Sequence, residues 1–153
     1  MTPPAPLPRL AVRAVLLHED RLLLVNAYAG RTDLWCAPGG GVLAHDSLPQ
    51  NLQREVQEET GLEIAVDAPC LVNEFHDPER GFHQVEVFFR CRLLAGDPEG
   101  DWRDTEGVVG ARRWVTRDQM EGLRVKPEGL KAAAWPARAA EPLLYDPLEP
   151  LLP

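Results

Sequence analysis

Cysteine is scarce in this 153-residue chain. Its three residues, Cys36, Cys70 and Cys91, are odd in number and never in C-x-x-C spacing. That pattern speaks against a disulfide framework and a zinc ribbon, and makes a reducing cytoplasm the expected compartment. Long apolar runs are also missing: no stretch approaches the roughly 20 residues that span a bilayer. The amino-terminal MTPPAPLPRL has neither a basic n-region nor an apolar h-region, so secretion and membrane insertion are not expected. Positive charge is outnumbered, with 16 Lys and Arg against 24 Asp and Glu and a formal net charge of −8. Polymeric nucleic acid is therefore an unexpected partner, because binding its backbone leans on clustered Lys and Arg. A small anionic substrate stays compatible where metal ions do the neutralising. No internal repeat is visible, and the length suits one domain over residues 1–153.

What is present is concentrated in residues 40 to 62, GGVLAHDSLPQNLQREVQEETGL. Five residues separate Gly40 from Asp46 and seven separate Asp46 from Arg54, after which Glu55, Val56, Glu58, Glu59, Gly61 and Leu62 follow. Glu55, Glu58 and Glu59 stand at i, i+3 and i+4, so a helix places them on one face. Like charges about 4 Å apart near a protein surface repel by on the order of 4 kcal/mol at an effective dielectric of about 20, so such a cluster calls for a cation, solvent or raised pKa values. Hard carboxylate oxygens select Mg2+ or Mn2+. Arg54, four residues before Glu58, can brace that carboxylate. A solvated acidic helix end is the bland alternative, but five fixed residues of R-E-x-x-E-E-x-G coincide by chance only about once in a million start positions.

This spacing resembles the Nudix box, in MutT-like form, with Asp46 where the box normally carries glutamate and with Leu43 and His45 in place of a frequent Glu and Gly. The resemblance implies an α/β fold of the Nudix type, an α/β/α sandwich with a mixed β-sheet, whose core covers about residues 9–135 and leaves a Pro/Leu-rich extension over 136–153. It also implies a metal-dependent hydrolase that cleaves a diphosphate bond in a nucleoside diphosphate linked to X, in the nucleoside triphosphate, nucleotide sugar or ADP-ribose class. The metal ligands it implies are Glu55 and Glu59, then Glu58, with the carbonyl of Gly39. Arg54 joins the catalytic set as a brace. The general base is either Glu55 or a loop glutamate, for which Glu106 is the local candidate; its competing reading is a solvated loop acid. Asp46 has two readings, a helix cap, for which Ser47 is equally suited, or a catalytic acid. For the substrate, Tyr28 and Trp102 can stack on a base, and Arg31 and Arg80 can meet a sugar or distal phosphate; Trp35 and Phe82 lie in strand-like runs and read as core. A catalytically silent Nudix-fold nucleotide sensor is the alternative function, against which the retained acids count.

Along the chain, residues 10–17 and 21–27 read as a hairpin around His18, Glu19 and Asp20. Pro38 and the three glycines that follow read as a break in regular structure. The next helix, about 47–60, carries Leu48, Leu52 and Val56 on one stripe and ends where Gly61 suits a left-handed cap. LEIAVD and CLVNEFH read as two strands, D-P-E-R-G as a turn, 82–94 as a central strand, and GARRWV as another strand. Thr116 to Gln119 has the form of a capping box, and PEGLKAAAW suggests a final helix. The tail from 136 reads either as an extension over its own domain or as an arm that binds a partner or is exchanged in a homodimer.

Overall fold

The computed structural model describes residues 2–26, 33–100 and 111–137, together with Leu143, Tyr145 and Leu148. Its strands are β1 (Arg9–His18), β2 (Arg21–Asn26), β3 (Leu34–Trp35), β4 (Gly39–Gly41), β5 (Glu63–Asp77), β6 (Phe82–Ala95), β7 (Ala111–Val115) and β8 (Arg124–Val125). Its α-helices are α1 (Leu48–Thr60), α2 (Arg117–Met120) and α3 (Leu130–Ala134). The main sheet runs β5-β6-β1-β2-β7, with β4 also pairing β1. The sheet is mixed, because β1 lies parallel to β6 while its pairings with β2 and β4 are antiparallel.

Strand alternation divides the core into two layers. Val12, Ala14, Leu16 and Phe89 join Leu52 and Val56 of α1 on one face. On the other, Val15, Leu22, Leu24 and Phe88 meet Met120 of α2 and Leu130 of α3. Adjacent Phe88 and Phe89 thus serve opposite faces, and strands covered on both sides read in sequence as unbroken apolar runs. The arrangement is the expected α/β/α sandwich. Tyr145 of the tail rests edge-on against Phe89, with ring centroids 5.5 Å apart, which places this residue over its own sheet.

Two expectations are corrected. The segment expected to break regular structure instead forms β4, antiparallel to β1 over Ala11↔Gly41, Val12↔Gly40 and Arg13↔Gly39. Only glycine allows that approach at residue 39: its φ is +154°, and a Cβ there would stand 2.0 Å from the Val12 carbonyl oxygen. The two strands expected around Ala68 are a single edge strand, β5, whose register against β6 shifts on either side of Pro69. Proline has no N–H for a ladder and is tolerated at such an irregularity. The parallel pairing of β3 with β8 has no counterpart in the sequence reading. Among the described residues no helix is long and apolar enough to cross a membrane.

Candidate active site

Helix α1 begins with Ser47 as N-cap, in a reciprocal capping box with Gln50 and with Pro49 in the first turn. The cap is therefore Ser47 and not Asp46, whose side chain is exposed. Asn51, fully buried, ties the preceding loop to the helix. Its Oδ1 accepts from Leu43 N–H at 2.8 Å, and its Nδ2 donates to the carbonyls of Leu43, Asp46 and Ser47. Sequence reasoning passed over Asn51, because an asparagine among glutamines in a helix carries no signal until the loop folds back on it. At the other end Gly61 caps in the left-handed conformation, φ 73°, and donates to the Gln57 carbonyl.

With Leu52 and Val56 anchored in the core, the acidic stripe is turned toward β4. Glu59 is 8% exposed, and its Oε2 accepts from the Gly39 backbone N–H at 3.0 Å. Glu55 lies against Gly40, where a Cβ would meet its carboxylate oxygen at 2.5 Å. The missing side chains of β4 thus make the space that the acids occupy. Arg54 braces two of them: its Nη2 donates to Glu55 Oε1 at 3.1 Å, and its Nε stands 3.8 Å from Glu58 Oε1. The same Nη2 reaches Asn51 Oδ1 at 3.1 Å and the Gly41 carbonyl at 3.4 Å, whereas Nη1 is buried and makes no hydrogen bond among the described residues.

A divalent ion fits this region by donor chemistry, since its side chains are carboxylates set against the glycine strand and hard cations take oxygen ligands. Among the described residues, no group of three or more His, Cys, Asp or Glu side chains already stands in a ligating arrangement. Glu59 is turned to Gly39, while Glu55 and Glu58 are turned to Arg54.

Behind the glycine strand, on the α3 face of the sheet, opens a cavity of about 550 Å3. Arg13 and Glu86 lie in its lining, on β1 and β6, joined by a 2.5 Å contact from Nε to Oε2. Arg13 Nη1 also donates to the Ala37 carbonyl at 3.2 Å. Burial opposes the Arg13 charge, but Cys36, Glu86 and Glu59 outweigh it and hold the guanidinium pKa above its ordinary value. Neither residue was singled out from sequence. They are 73 positions apart, and nothing local marks either one.

The remaining candidates are dispersed. Arg80 sits on the turn between β5 and β6, its side chain 86% exposed and paired with Asp77 at 3.5 Å. Trp35 packs on the second core layer, and Phe82 pairs with Phe75 at a centroid distance of 5.6 Å. Tyr28, Arg31, Trp102 and Glu106 lie outside the described residues.

A family model described as the NUDIX domain matches residues 7–137. A MutT-like protein of Streptomyces ambofaciens is 35% identical over 117 residues, covering 75% of this chain and 68% of that protein. Among solved structures, a NUDIX hydrolase from Nitrosomonas europaea superposes with a TM-score of 0.68 at 22% identity, covering 82% of this chain and 85% of the other. An ADP-ribose pyrophosphatase from Streptococcus suis gives 0.61 at 26% identity, covering 84% and 90%.

Proposed function

Since the chain belongs to the Nudix family and is a pyrophosphohydrolase, we propose that it hydrolyses a diphosphate bond in a nucleoside diphosphate linked to a second group, with a resident Mg2+ or Mn2+. The observation that carries this reading is the placement of Glu55, braced by Arg54, against Gly40 and of Glu59 against Gly39. Glu55, Glu58, Glu59 and the Gly39 carbonyl would hold the metal, which when bound neutralises the bridging and leaving oxygens and makes water a better nucleophile. Water attacks one phosphorus, the bridging P–O bond breaks, and the leaving phosphate carries away the electron pair. The proton lost by water passes to a carboxylate, either Glu55 or Glu106. In this reading the chain acts as one domain in the cytoplasm on a small nucleotide.

Purified protein incubated with Mg2+ or Mn2+ and a panel of nucleoside triphosphates, nucleotide sugars, ADP-ribose and dinucleoside polyphosphates should turn over one class, and chelation should abolish that turnover. Tight binding with no product across the panel would instead support a silent sensor.

The two glycines separate architecture from chemistry. Gly39→Ala should destabilise by at least about 2 kcal/mol, because the new methyl meets rigid backbone at Val12. For Gly40→Ala the nearest atoms to the new methyl are the carboxylate end of Glu55, which can turn away. That variant should melt near wild type yet lose about tenfold or more in kcat, as expected when a reacting group is displaced by about 1 Å. Wild-type turnover in Gly40→Ala would remove Glu55 from the site.

A further inference from the structure

The cavity behind the glycine strand is not explained by metal or phosphate chemistry. Its lining holds Arg13 and Lys126 against Glu74, Glu86 and Glu128, and Arg13 is already engaged with Glu86 and Ala37. Lys126 is paired with Glu128 at 3.5 Å. A lining with more acids than bases, whose buried cation Arg13 is committed to Glu86, disfavours a phosphate. Apolar surface comes from Phe75, Phe88, Leu34 and Ala37, which suits a flat, uncharged ring system.

Glu86 is the group that can read such a ring. It is 4% exposed, and an ionised carboxylate offers about four acceptor positions. Arg13 takes one on Oε2, and Asn73 Nδ2 stands at a long 3.5 Å from Oε1. The anion is thus fixed in place by Arg13 with acceptor capacity left over. A ligand edge offering two adjacent donors completes it, whereas an edge that opposes a lone pair to the carboxylate repels it. Among the common bases, guanine alone offers adjacent donors, N1–H and the 2-amino group, on one edge. Adenine and cytosine each set one amino donor beside a ring acceptor, and uracil places its single N–H between two carbonyls.

Resting on the hydrolase reading above, we propose that this cavity is the nucleobase site and that Glu86, positioned by Arg13, selects guanine. The vicinal hydroxyls of ribose share the two-donor chemistry, and the test separates the two sources.

Because binding can be read without turnover, the experiment is calorimetric titration of the metal-free protein with GMP, IMP, AMP and dGMP, followed by the same series on Glu86→Gln. Glutamine keeps an oxygen for Arg13 but replaces the other acceptor with a donor. The expected result is that GMP and dGMP bind alike and about 10- to 100-fold more tightly than AMP, with IMP between, since it lacks the amino group. Glu86→Gln should erase that preference. Equal binding of GMP and AMP by the wild-type protein overturns the assignment whether or not the variant folds. A preference for GMP over dGMP without base discrimination also overturns it, and assigns Glu86 to the sugar. Guanine-selective binding in a protein that hydrolyses nothing would sustain the base site while removing the hydrolase reading.

Discussion

Replacing Glu59 with glutamine should lower kcat by at least about two orders of magnitude, or about 2.7 kcal/mol of transition-state stabilisation, with the melting temperature close to wild type. The two effects separate because the carboxylate has two jobs. Its Oε2 accepts from the Gly39 N–H at 3.0 Å, a contact the amide oxygen of glutamine can keep, so the junction of α1 with β4 survives. What glutamine cannot supply is the negative charge that holds a divalent ion where charge builds on the phosphates. Removing one of three neighbouring anions also relieves repulsion on the helix, which offsets any loss of packing. Steady-state kinetics with saturating Mg2+, beside a thermal melt of the same preparation, decide the matter. Wild-type turnover would take Glu59 out of the metal site. A large fall in melting temperature would show that its carboxylate serves mainly to seat Gly39.

Truncating Leu52 to alanine should have the opposite signature, a loss of roughly 2 to 5 kcal/mol of stability. Leu52 has no exposed surface and packs with Val12, Ala14, Leu16, Val56 and Phe89 where α1 meets the sheet. The cavity left behind lies under the helix that carries the acids, so it can collapse only by moving that helix. For a chain of this size each kcal/mol corresponds to roughly 2 to 4 °C, which puts the expected fall near 10 °C. At temperatures where the variant remains folded, turnover should fall far less than in Glu59→Gln. An unchanged melting temperature would mean that the apolar stripe of α1 does not anchor it.

Features whose partners lie within one or two turns of chain were legible in the sequence. The frame from Arg54 to Glu59 is a matter of helical spacing, and Gly61 caps the helix it follows. The capping box of Thr116 with Gln119 is equally local. Alternation could not be read where both faces are buried, so β1 and β6 gave strands without faces. The joining of residues 63–77 into one strand was hidden because Pro69 reads as a breaker until the partner strand is there to absorb the register shift.

The sequence by itself thus determined the family, the acid cluster and the helix that presents it, because those depend on spacing along one segment. Only the tertiary structure decided what faces the acids and what lies behind them. The parallel pairing of β1 with β6 sets Arg13 against Glu86, and the close approach of β4 to β1 brings Gly39 and Gly40 under the carboxylates. Both are contacts between residues far apart in the chain: β1 and β6 pair through backbone that almost any side chain permits, and the glycines that the β4 approach requires read locally only as a break in regular structure.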